Sequence, residues 1–140
     1  EKIKTIGDAY MFAGGIPGHL DNHPIVITQA CLDIRDAIET IKKEKLAKNE
    51  LFFEIRIGVH TGPLVAGVVG SKKFAYDIWG DTVNTAARME SSGDIGKVNV
   101  SGTTYELIKE HYDCTHRGKI AAKNKGEIDM YFVEASSVKV

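Results

Sequence analysis

The chain has 140 residues, 43% of them hydrophobic and 26% charged, which is enough to bury the core of one globular domain. Its 18 basic and 19 acidic side chains leave a net charge of −1 and no basic field, arguing against duplex nucleic acid as a partner. No apolar run approaches the ~20 residues of a membrane span and no signal-peptide pattern opens the chain, so no membrane contact is expected of this segment.

Lys2-Ile-Lys-Thr-Ile-Gly7 reads as a strand, Gly7-Asp8 as a tight turn, and Ala9 to Ala13 as a return strand. That turn sets Asp8 at the rim of a sheet, although turn formation alone also accounts for an aspartate there. A loop follows over 18–24, with Pro24 suited to a first helical turn. Ile27, Ala30, Cys31, Ile34, Ala37, Ile38 and Ile41 then recur at steps of three and four, predicting a helix with one apolar stripe. Asp33, Arg35, Asp36 and Glu39 fall on its solvent face, and 42–48 forms a basic end that suits the helix dipole. Alternation of Phe53, Ile55, Ile57 and Val59 with polar or small residues predicts a half-buried strand. A second strand over 64–69 would complete a hairpin with it. Further on, 98–100 reads as a strand, 103–110 as a helix, and 112–121 with 128–133 as an antiparallel pair around Lys123-Asn124-Lys125-Gly126. Strands and helices interspersed in this way predict an α+β sandwich, with helices on one face of a largely antiparallel sheet.

Cys31 on the apolar stripe and Cys114 in a strand fit reduced thiols in a cytoplasmic domain better than a disulfide framework. Cys114-x-His116 lacks the further ligands that a zinc site requires. Gly67-Val-Val-Gly70-Ser-Lys does not have Walker spacing, and Gly14-Gly15 does not open a dinucleotide-binding turn.

The richest stretch is Phe74-Ala-Tyr-Asp77-Ile-Trp79-Gly-Asp81-Thr-Val-Asn84-Thr-Ala-Ala-Arg88. Asp81 or Thr82 is a natural N-cap for a helix on which Asn84 and Arg88, four residues apart, share a face. Val83, Ala86 and Ala87 form a small-residue strip suited to close packing. A neutral hydrogen-bonding group beside a fixed cation suits an anionic, hydroxyl-bearing ligand. The pair alone also fits a solvated helix face.

Together with Glu1-Lys-Ile-Lys4-Thr-Ile-Gly7-Asp8-Ala-Tyr10, Ile55-Arg-Ile-Gly-Val-His60-Thr-Gly62-Pro-Leu-Val-Ala-Gly67-Val-Val-Gly70 and Arg117-Gly-Lys-Ile-Ala-Ala-Lys123-Asn-Lys125-Gly126, that stretch resembles the class III nucleotidyl cyclases, with four blocks in the family's order across nearly the whole chain. The resemblance implies a palm-type, ferredoxin-like sandwich that converts ATP to cyclic AMP and pyrophosphate. Lys4 and Asp77 match its base-reading positions. An ammonium donates to adenine N1 and a carboxylate accepts from the exocyclic amine, a polarity that guanine reverses. Ile78 would flank the base through its backbone, Asn84 would orient the ribose and Arg88 would neutralise the α-phosphate. Lys123 would bind the terminal phosphates, with Lys125 the runner-up, and Pro63 replaces an arginine that some members place on the phosphates. Asp8 matches the second of two aspartates that hold a pair of Mg2+ or Mn2+ ions.

The first of those aspartates belongs to a strand upstream of Glu1. The chain is therefore expected to be a single catalytic domain over 1–140 that lacks the first strand and following helices, and to be inactive in isolation. Family sites form between two chains, which implies a homodimer with shared active sites. A regulatory pseudo-cyclase half, a guanylate cyclase, and an interaction domain with an incidental polar strip remain alternative readings.

Overall fold

The computed structural model describes residues 2–6, 9–16, 18, 20–69 and 75–136. Asp8 lies outside the described residues, and of Lys4 only the backbone is described. Strands β1 (Lys2–Ile6) and β2 (Ala9–Phe12) pair antiparallel, as two apolar runs joined by a short connection should. Helix α1 (His23–Ala47) carries Pro24 in its first turn, where a missing N–H removes no helical bond. Thr28 Oγ1 donates to the Pro24 carbonyl at 2.7 Å.

Cys31 and Leu32 seat α1 in the core, whereas Ile34 and Ile41 of the expected stripe remain exposed. Arg35, expected in solvent, instead folds onto Glu134 with paired donors at 2.7 and 2.8 Å. A planar guanidinium can meet both carboxylate oxygens at once, and this ties α1 to the last strand.

The remaining elements are β3 (Ile57–Val59), β4 (Val65–Val69), β5 (Ala75–Trp79), α2 (Asp81–Ser91), β6 (Val98–Ser101), α3 (Gly102–Ile108), β7 (Tyr112–Ala122) and β8 (Gly126–Ala135). The expected hairpin between 53–60 and 64–69 does not form. β4 pairs with β5, from Val65↔Trp79 to Val69↔Ala75, and β3 runs parallel to β6. The strand expected over 53–60 shrinks to three residues because β6 begins only at Val98; before it, Gly96 N–H donates to Ile55 O at 2.9 Å and Phe53 stays exposed. β5 escapes periodicity because Asp77 interrupts a run of only five residues.

The main sheet has the order β3-β6-β8-β7, antiparallel except for β3-β6, with a bulge between His116 and Gly118. Alternation along its strands assigns the helices to faces. Val98, Val100 and Val133 point toward Cys31 and Leu32 of α1 and Ile108 of α3. Met130, three residues from Val133, joins Met89 of α2 on the other side. The helices therefore pack on both faces, not on one, and α2 has a face to itself. This mixed α+β architecture, with a mainly antiparallel sheet, otherwise has the class read from the sequence.

Candidate active site

α2 starts differently from expectation. Its N-cap is Gly80, at φ 124, and no side chain caps it; Asp81 occupies the first helical position, where a negative charge complements the dipole. Thr82 Oγ1 donates instead to the Pro63 carbonyl at 2.5 Å. The buried face is Thr85 and Met89 rather than the small-residue strip, and Ala87 is exposed. Close approach comes from the partner strand: a Cβ on Gly58 would lie 2.0 Å from Glu90 N and 2.5 Å from Met89 C. Only glycine lets the helix backbone sit that near β3.

The C-terminal end of α2 is held by two residues that its own sequence pattern does not single out. Asn99 is fully buried, and its Nδ2 donates to the Met89 carbonyl at 2.9 Å. Arg117 donates from one guanidinium nitrogen to Ser92 O at 2.9 Å and to Asn99 Oδ1 at 3.0 Å, with its plane 4.2 Å from the Phe132 ring centroid. A polar side chain inside Val98-Asn99-Val100 is the signal that could have flagged this anchor. Arg56 Nε also lies 3.1 Å from Glu90 Oε2, but without hydrogen-bond geometry.

Fixed in this way, α2 presents Asn84 and Arg88 to a cleft of about 280 Å³ that also takes in Lys123, Asn124 and Lys125. The last three belong to the β7–β8 turn, shaped by left-handed Asn124 (φ 63) and Gly126 (φ 71) and closed by a Lys125 N–H to Ala122 O bond of 3.0 Å. The two lysines differ in their surroundings. Lys125 forms an ion pair with Asp81, and its side chain is only 19% exposed. Arg88 and Lys123 have no carboxylate partner among the described residues. The cleft thus gathers two cations without a carboxylate partner among the described residues and two side-chain amides.

Asp77 lies on β5 opposite Gly67, and its Oδ1 accepts from the Ile78 N–H at 2.8 Å, which orients the carboxylate. Ile78 buries its side chain, leaving the backbone as its only route to a ligand. Lys4 has its backbone on β1, which packs against β5. A larger hollow of about 670 Å³ includes His60, Asp81, Ser101, Glu106 and Asp129, and shares Lys125 with the smaller cleft. Its three carboxylates suit an anion less well than the cationic cleft does. His60 Nδ1 is 2.6 Å from Ser101 Oγ, the oxygen that caps α3. Burial, and then the nearby Lys125 charge, hold the imidazole pKa below its ordinary value. Among the described residues no group of three or more His, Cys, Asp or Glu side chains could hold a metal ion, and Asp8 lies outside them. No helix among the described residues is long and apolar enough to cross a membrane.

The mixed sheet thus carries α2 on one face, with the cationic cleft running alongside that helix from Asn84 to Arg88. The chain belongs to the adenylate and guanylate cyclase catalytic domain family, whose model matches residues 1–135. It is 38% identical to an adenylate cyclase of Mycobacterium tuberculosis over 95% of its own length and 29% of the relative's. To the human guanylate cyclase soluble subunit beta-2 it is 40% identical, over 94% of this chain and 21% of that one. Among solved structures, the guanylate cyclase domain of RhGC from Catenaria anguillulae in complex with GTP superposes with a TM-score of 0.86 at 34% identity, covering 97% of this chain and 72% of that one. The chain spans less than a third of either curated relative. Adenylate and guanylate cyclases stand at nearly equal identity, so the comparisons define the family and leave the base open.

Proposed function

We propose that the domain is an adenylate cyclase, converting ATP to cyclic AMP and pyrophosphate through attack of the ribose 3′-hydroxyl on the α-phosphate. The observation that carries this reading is the cleft in which Arg88 and Lys123 face the same space without a carboxylate partner among the described residues, beside Asn84. Two cations without a carboxylate partner among the described residues suit a polyphosphate. Arg88 meets charge developing at the α-phosphate, Lys123 holds the terminal phosphates, and Asn84 orients the ribose by hydrogen bonding. Lys125, committed to Asp81, is the weaker phosphate candidate.

Adenine is favoured by the pair of Lys4 and Asp77, a donor for N1 and an acceptor for the exocyclic amine. The Ile78 N–H already bonds the Asp77 carboxylate, which holds that acceptor in one orientation. Two copies of the chain build each site, one supplying Asp8 and the other Arg88, Asn84 and Lys123. Class III cyclase domains are generally metal-dependent; Mg2+ or Mn2+ at Asp8, two ions per site, would supply activation of the 3′-hydroxyl and stabilisation of the leaving pyrophosphate. A cytoplasmic catalytic domain, in a parent protein that is membrane-anchored or not, fits the nucleotide substrate and the free thiols.

Guanylate cyclase is the second reading, supported by the 40% identity to a guanylate cyclase subunit. Binding and turnover of ATP and GTP by the purified full-length protein separate the two. Binding of neither nucleotide would defeat both.

A further inference from the structure

The cleft depends on two elements that β6, α3 and β7 separate in sequence meeting in one place. Asn84 and Arg88 ride on α2, whereas Lys123 sits on the β7–β8 turn, and the register Ala122↔Gly126 leaves only three residues in that turn. Asn124 and Gly126 shape the turn, and Ala122 just before it packs with Met89 of α2, which brings the end of the hairpin beside the helix without directing the side chains of the turn. Among the described residues, a side-chain ion pair from Lys125 of the turn to Asp81, the first residue of the helix, joins the two. Lys125 is unusually buried for a lysine, and it borders both the phosphate cleft and the larger hollow.

We propose that Lys125 and Asp81 are positioning residues: their ion pair pins the 123–125 turn against the N-terminus of α2 and so aims Lys123 into the space shared with Asn84 and Arg88. Lys125 acts through Lys123 and leaves the phosphates to it. The pair does this at small energetic cost, because Asp81 also complements the helix dipole and remains 78% exposed at its outer side. Two lysines one residue apart, on a turn with a single left-handed residue between them, thus divide the work of gripping the helix and gripping the ligand. This proposal rests on the reading of the cleft as a phosphate site.

The test is a set of variants in the full-length protein, with KM for the nucleoside triphosphate, kcat and amide exchange of residues 122–126 as readouts. Lys125→Met and Asp81→Asn should each raise KM by roughly two- to fivefold, the scale of a partly exposed ion pair, with kcat nearly unchanged and faster exchange in the turn. In a Lys123→Ala background, Lys125→Met should raise KM no further, because a residue acting through another is non-additive with it. The reversed pair Asp81→Lys with Lys125→Asp should recover turn protection and most of the KM. Additive effects of Lys123→Ala and Lys125→Met would overturn the proposal and make Lys125 a direct phosphate ligand. Unchanged exchange in Asp81→Asn would overturn it as well, whatever the kinetics. If Lys123→Ala itself left KM untouched, the phosphate reading of the cleft would fail, while the exchange data would still judge the strut.

Discussion

Arg88 and Lys123 share a cleft, yet the charge they meet has a different history during the reaction. The terminal phosphates are fully charged in the ground state, whereas charge on the α-phosphate grows only during attack. Arg88→Ala should therefore lower kcat by roughly 10²–10³ with little change in KM, the scale of deleting one preorganised charge stabiliser. Lys123→Ala should mainly raise KM. Steady-state kinetics of the two variants check this, and a KM effect for Arg88→Ala without loss of kcat would reverse the assignment. At the base, Lys4→Glu with Asp77→Cys should depress use of ATP and raise relative use of GTP, each mispaired edge costing on the order of 1–3 kcal/mol. An unchanged preference in competition assays would remove both residues from base reading.

Among elements, α2 matters most, because it carries two of the proposed ligand contacts and is held along its whole length. Thr82 bonds Pro63 at one end, Asn99 and Arg117 hold Met89 and Ser92 at the other, and Gly58 lies beneath Met89 and Glu90. Gly58→Ala forces a methyl into helix backbone, and overpacking of this kind costs about 1–3 kcal/mol. The variant should melt earlier, and because α2 must shift as a body it should also lose turnover beyond what its folded fraction explains. Urea titration and activity measured on the same samples check this; wild-type stability would show that the helix can retreat freely.

How far the sequence exposes these elements depends on how local their causes are. The existence of α1 and of the β7–β8 hairpin follows from spacing and turn residues, so they are legible, whereas the buried face of α1 turns away from the expected stripe toward Thr28, Cys31 and Leu32. Asn84 and Arg88 sharing a face is likewise a local helical fact. Lys123 joining them is not: it depends on β7–β8 lying beside α2, which only the assembled sheet determines. The pairing of β4 with β5 was hidden for a related reason, since Asp77 serves as a ligand candidate and a strand residue at once. Arg35 shows the reverse case, a residue that patterning puts in solvent and a distant carboxylate recruits.

For the whole molecule, the proposed shared site makes a prediction that no monomeric enzyme would satisfy. An Asp8→Ala chain and an Arg88→Ala chain, each impaired, should regain activity on mixing, because one site of the heterodimer then has both intact halves. A mixture as inactive as its parents would argue against the shared site.

Stability should also carry a pH signature from His60. Its folded pKa lies below the ordinary value of 6.5, so the unfolded chain binds more protons and stability rises with pH in that interval. The contribution is complete above about pH 6.5 and is lost as pH falls through the folded pKa. Thermal melts from pH 8 down to about 5 should show this loss in the wild type and a flatter profile in His60→Asn; parallel profiles would exclude His60 as its source.

The central claim is that this cyclase domain uses ATP, and the most direct measurement is product formation by the full-length protein given ATP or GTP at equal concentration with Mg2+ or Mn2+. Cyclic AMP and pyrophosphate should form, with kcat/KM for ATP exceeding that for GTP by about 10-fold or more, as two matched polar edges of the base imply. A preference for GTP, with cyclic GMP as the main product, would contradict the account.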